Sequence, residues 1–140
     1  MDATNHYLVA LDPTSEAGEA AVPLATYAAG ITGGRLTLLV ALGGPASRAL
    51  HEHAASEEIT VAAAANRYLD RVVSQVRGSG IAADGVTIDG DDPAGEILSI
   101  LDGSDVTAVA IPIAGHASEG HLLDELARRT PVPVVLVPAA

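Results

Sequence analysis

Short apolar runs alternate along this chain with longer stretches in which apolar positions recur every three or four residues. That alternation is the sequence form of βαβ units, and it predicts an α/β domain built on a mostly parallel sheet. The first run, His6 to Leu11, is closed by Asp12-Pro13. Thr14 or Ser15 can cap the helix that follows, whose stripe reads Ala17, Ala21, Leu24, Ala28 and Ile31, with a bend expected at Pro23. Gly33-Gly34 ends that helix, and Arg35 to Leu42, apolar on both faces, predicts a central strand.

Residues 43–55 read as a loop, with a lid over a crevice as one use for it. Ser56 is then the expected cap of a helix whose face is Val61, Ala65, Tyr68, Leu69, Val72 and Val76. Val86 to Asp89 predicts a short third strand near an edge. Asp92-Pro93 opens a helix that stops at Gly103, and Val106 to Ile113 is the fourth strand. A brief helix over Leu122 to Arg129 ends on two arginines, where cations favour the helix dipole. The fifth strand, Val134 to Val137, is bracketed by prolines and is therefore assigned to an edge.

With 140 residues and no internal repeat or linker, residues 1–140 make a single domain. The apolar 49% is mostly alanine and valine, and the aromatics are Tyr7, Tyr27 and Tyr68, a composition suited to close packing of helices on a sheet. A net charge of −11, with seven arginines and no lysine, argues against nucleic acid and against an anionic membrane surface. The absence of cysteine removes disulfides and thiolate chemistry, and no apolar stretch reaches membrane-spanning length. A cytoplasmic protein is the expectation.

Four pieces in order carry a family resemblance. Leu8-Val-Ala-Leu-Asp12-Pro-Thr-Ser-Glu16 resembles the opening strand and turn of universal stress proteins, and Arg35-Leu-Thr-Leu-Leu-Val40 their second strand. Gly90-Asp-Asp-Pro-Ala94 with Glu96-Ile97 resembles their entry to the third helix, and Pro131 to Pro138 their C-terminal strand. The resemblance implies a three-layer α/β/α, Rossmann-like fold with a five-stranded parallel sheet of order 3-2-1-4-5. It also implies a ligand crevice at the carboxyl ends of the first and fourth strands.

In nucleotide-binding members an Asp at the end of the first strand lies by the adenosine, and Asp12 is the matching residue. An Asp before Pro-Thr-Ser is also a common turn and capping residue. Their phosphates are held by G-x2-G-x9-G-[ST], whereas this chain has Gly115-His116 and then Gly120, with twelve residues between Gly120 and Pro133. The shortfall is roughly ten residues, or about 15 Å of helix. The shorter branch without nucleotide, which carries a Gly-His turn, is the nearer comparison.

The expected reading is therefore a homodimeric regulatory or binding module of a stress response with no cofactor. The alternative is an adenine-nucleotide binder or slow ATPase using Mg-ATP, with Asp12, Gly115, His116 and Gly120 as its site. Val134, Val135, Leu136 and Val137 are the expected dimer strand, because pairing with a copy covers an apolar edge. Pairing with a longer paralogue, or another protein partner, is a further use of the same strand.

Other chemistry is thinner. His51-Glu52-His53, with Glu119, His116 and His121, has metal-ligand residue types, and Asp89, Asp91 and Asp92 form an acidic turn without EF-hand spacing. Both groups are read as solvated surface positions, and no metal site is expected. His116 beside Asp12 would suit acid–base chemistry, but no nucleophile or oxyanion hole accompanies them.

Overall fold

A computed structural model describes residues 5–11, 21–43, 48–89, 93–113 and 128–138. Five strands form one parallel sheet in the order β3-β2-β1-β4-β5. They are β1 (His6–Ala10), β2 (Arg35–Ala41), β3 (Ala82–Ile88), β4 (Ala108–Ile113) and β5 (Val134–Pro138). The helices are α1 (Ala21–Thr32), α2 (Arg48–Ser56), α3 (Val61–Gly78) and α4 (Pro93–Asp102). The sheet order expected above is the order observed, and β3 and β5 lie at its edges.

Strands β1 to β4 divide their described side chains between two cores. Val9, Leu36, Leu38, Val40 and Ala83 join the core beneath α1, α2 and α3. Leu8, Ala10, Leu39, Ile88 and Val109 join the core with Ile97 and Leu101 of α4. That division gives helices on both faces, as right-handed crossovers require when the chain moves outward to β3 and then returns past β1.

Helix α3 is amphipathic, burying Leu69, Val72, Val73 and Val76. It packs closely on β3, where a Cβ on Gly85 would meet the Leu69 and Val73 side chains at 3.4 Å. β3 itself begins at Ala82, four residues before the expected start at Val86. Ala82-Ala-Asp-Gly has weak strand propensity, but pairing along the whole of β2, from Arg35↔Ala82 to Ala41↔Ile88, overrides it.

Two expectations are corrected on this side of the sheet. Residues 48–55 of the expected loop are helical, because Leu50 and Ala54, one turn apart, bury against the α3 core. The cap of α3 is Thr60, whose hydroxyl accepts from the Ala63 N–H at 3.0 Å, and not Ser56, whose hydroxyl donates to His53 O inside α2. Between the two helices Glu58 takes a left-handed φ of 57°, while Ile59 N–H donates to Ala54 O and Glu58 N–H to Ala55 O. This is a Schellman termination with a glutamate where glycine is usual, which hides the break from a reader looking for Gly.

Helix α1 requires a third correction. Its buried face is Ala21, Ala25 and Ala29, while Leu24 and Ile31 of the expected stripe are 49% and 68% exposed. The helix is apolar on almost every side, so periodicity selects no face, and the small alanines allow the closest approach to the sheet. Gly33, at φ 73°, ends α1 as expected, with Gly34 N–H bonded to Ala29 O. Pro23 falls in the first described turn, and the bend expected there involves residues outside the described range.

At the other edge β4 and β5 pair in parallel from Val109↔Val134 to Ile113↔Pro138. The Val109 N–H donates to Pro133 O at 2.9 Å, so Pro133 and the alternate residues after it face β4. The backbone N–H and C=O of Val134 and Leu136 consequently turn to the open edge. Val134 packs toward the α4 side, which places Val135, 41% exposed, on the α1 side.

Candidate functional site

The carboxyl ends of β1 and β4 meet at the point where successive connections leave the sheet on opposite faces, the usual place for a ligand in this architecture. Asp12, Gly115, His116 and Gly120 lie outside the described residues, as do Glu119, His121, Asp91 and Asp92. The described rim of the crevice is Leu11, whose N–H donates to Leu39 O, together with Leu42 and α2. His51 of α2 is committed there: its Nε2–H donates to the Leu42 carbonyl at 2.8 Å, pinning α2 beside the end of β2.

His53 stands two residues further on α2, more than half a turn around the helix from His51, so the two imidazoles do not converge. Among the described residues no three His, Asp or Glu side chains are grouped to hold a metal ion.

The amino ends of the strands hold a polar cluster that sequence reading missed. His6 of β1 is 5% exposed, the one polar side chain among the described buried residues. Its Nδ1 lies 2.8 Å from Asp105 Oδ1 and its Nε2 lies 2.7 Å from Thr37 Oγ1. A carboxylate can only accept, so Nδ1 carries the proton, and in the neutral ring Nε2 accepts from the Thr37 hydroxyl. Arg35 completes the group, donating to both Asp105 oxygens at 2.9 and 3.0 Å.

The backbone is tied in as well. The His6 N–H donates to Thr107 Oγ1, and the His6 carbonyl accepts from Thr107 N–H at 2.8 Å. With hydrogen bonds from both His6 and Arg35, the Asp105 carboxyl is held down at about 2, well below its ordinary value.

Thr37, His6 and Asp105 have the connectivity of a nucleophile–base–acid relay, but Thr37 sits within β2 and the described neighbours provide no oxyanion donors. The cluster instead clamps β1, β2 and the lead-in to β4. Its members are far apart in sequence, and only the 2-1-4 strand order brings them together.

No protein-family model and no curated protein matches the sequence. Solved structures do match. A universal stress protein from Archaeoglobus fulgidus in complex with dAMP is 20% identical, with 97% of this chain and 99% of that one covered at a TM-score of 0.68. The universal stress protein UspA from Lactobacillus plantarum is 19% identical over 98% and 99% of the two chains, at 0.74. A universal stress protein family protein from Arabidopsis thaliana with AMP bound is 12% identical over 97% and 92%, at 0.64. From one end to the other, the chain has the fold of the universal stress proteins.

Proposed function

We propose that this protein is a universal-stress-protein-like binding module of a stress response, acting as a homodimer through β5 and lacking a complete site for a nucleoside triphosphate. The observation that carries the reading is the length of the connection from β4 to β5. The two strands are parallel, so after Ile113 the chain must return to the opposite end of the sheet before Val134. Covering a strand of about 20 Å takes roughly 13 helical residues. Residues 114–133 number twenty, which leaves about seven for both turns, too few for a phosphate loop of the G-x2-G-x9-G-[ST] kind as well. Partnering through β5 is supported by the N–H and C=O groups of Val134 and Leu136, which face away from β4 on an apolar edge and have no strand partner among the described residues.

A second reading draws on the ligands of the similar structures. dAMP and AMP carry one phosphate, and a monophosphate needs less of a cradle than a triphosphate. A turn around Gly115, His116 and Gly120, with Asp12 toward the adenosine, would suffice for it.

Calorimetric titration of the full chain with Mg-ATP and, separately, with AMP tests both readings. No heat from either up to millimolar ligand is the expected result. Saturable AMP binding weakened at least tenfold by Asp12→Ala, with none for Mg-ATP, would establish the second reading. Micromolar Mg-ATP binding would overturn the first.

A further inference from the structure

The two edges of the sheet are finished differently. On β5 no charged residue falls between Val134 and Val137. On β3 the Leu42 N–H donates to Ile88 O at 2.8 Å, so Ile88 and the alternate residues before it face β2. Ala83, Gly85 and Thr87 therefore direct their backbone groups to the outer side, where no described strand pairs.

One of those outward groups is already taken. Arg77, in the last turn of α3, donates from Nε to Ala83 O at 2.9 Å, and a terminal nitrogen of the same guanidinium lies 3.6 Å from Asp84 Oδ1. Side chains alternate along a strand, and Ala83 packs in the core with α3, so Asp84 stands on the opposite face. The Arg77 side chain thus starts on the α3 face, crosses the outer edge of β3 and reaches the other face. The turn behind it fixes its root: Gly80, at φ 85°, donates its N–H to the Arg77 carbonyl at 2.9 Å.

We propose that Arg77 is an edge guard, a contact within the chain that keeps a second strand off β3 and confines strand pairing to β5. A strand laid beside β3 would run about 4.8 Å away, in the space that the guanidinium occupies, and would need Ala83 O as an acceptor. With that acceptor engaged, only Gly85 and Thr87 remain as outward pairing positions, and glycine is a poor strand former. The ion pair with Asp84 adds little, because both side chains are exposed, at 61% and 68%. The guard acts by filling the edge and by placing a charge there.

The consequence for assembly rests on the β5 homodimer proposed above. Pairing β5 across a two-fold axis leaves a β3 at each outer edge of the joined sheet, and each could add a further chain without the assembly ever closing. With Arg77 in place the sheet stops at two chains. The guard itself does not depend on whether β5 pairs.

Light-scattering mass measurement on the full chain, over a concentration series up to hundreds of micromolar, tests the inference. The native protein is expected to hold one mass, and Arg77→Ala with native circular dichroism to at least double it at the upper end. Adding Thr87→Pro should restore the native mass, since proline removes an N–H that points outward and not toward β2. On a Val135→Lys background, which disables β5, Arg77→Ala should convert a monomer to a dimer. A native monomer that Arg77→Ala makes dimeric would remove the β5 homodimer and retain the guard. An Arg77→Ala mass equal to the native one at every concentration overturns the guard, as does a gain that survives Thr87→Pro. A native mass that climbs past a dimer and is lowered by Thr87→Pro overturns it too. Arg77→Gln serves as the second variant should Arg77→Ala lose its native circular dichroism.

Discussion

Helices α1 and α3 lie side by side on one face of the sheet and use their apolar residues in opposite ways. α3 turns Leu69, Val72, Val73 and Val76 inward and leaves Arg67, Asp70 and Asn66 in solvent. α1 fully buries only alanines, with Val22 partly buried beside them, and leaves Leu24, Tyr27 and Ile31 outside. The contrast shows that apolar content alone does not locate a core. α3 sits over Gly85 of an edge strand, where large side chains have space to fill, whereas α1 rests across β1, β2 and β4, where a close approach needs short ones.

The sharpest way to break the comparison is truncation of a leucine on each helix. Leu69→Ala, 3% exposed, is expected to cost about 2–5 kcal/mol in denaturant unfolding. Leu24→Ala is expected to stay within about 0.5 kcal/mol at low protein concentration. A larger loss for Leu24→Ala that grows with protein concentration would show that Leu24 is covered in an associated state, since only an associated state gains stability by mass action. Equal losses at every concentration would show that Leu24 is covered within the monomer, against the assignment made here.

A smaller effect is expected from the reverse change. Ala25 is 5% exposed between α1 and the sheet, so Ala25→Leu must push the helix away or twist a neighbour. The expected cost is about 1–3 kcal/mol, read by thermal melting. Were Ala25→Leu neutral, the alanine face would not be the limit on helix–sheet distance, and the physical reason given for the contrast would fail.

Much of the fold was legible because strands and α3 have unambiguous periodicity. Arg35 to Leu42 and Val106 to Ile113 carry no charge beyond Arg35, and the prolines at 133 and 138 place the last strand at an edge. α1 was misread because a helix apolar all round has no phase to read. α2 was missed because its anchor is only Leu50 and Ala54, set among His51, Glu52 and His53. Its end was concealed by Glu58, which adopts a conformation usually given to glycine. The clamp of His6, Arg35, Thr37 and Asp105 had no sequence signal at all. Each residue is unremarkable in its own segment, and only the strand order makes them neighbours.

That clamp also supplies the smallest and most specific test of the helix comparison. The buried faces of α1 and α3 are apolar and do not titrate, so the difference between Leu69→Ala and Leu24→Ala should persist on acidification. Asp105 should behave otherwise. Its carboxyl is lowered to about 2 from the ordinary 3.8 by the hydrogen bonds from His6 and Arg35. A depressed folded value means that the ionised form is the one the folded state prefers. Its contribution is therefore complete above the unfolded value, shrinks as pH falls from about 4 toward 2, and is gone below. Asp105→Asn should melt below the native protein at pH 5, and the gap should narrow as pH falls toward 2. The gap will be modest, because the Asp105 side chain is 66% exposed and solvent screens it. A gap independent of pH would mean that the charge on Asp105 contributes nothing and that the clamp acts through neutral hydrogen bonding and packing alone.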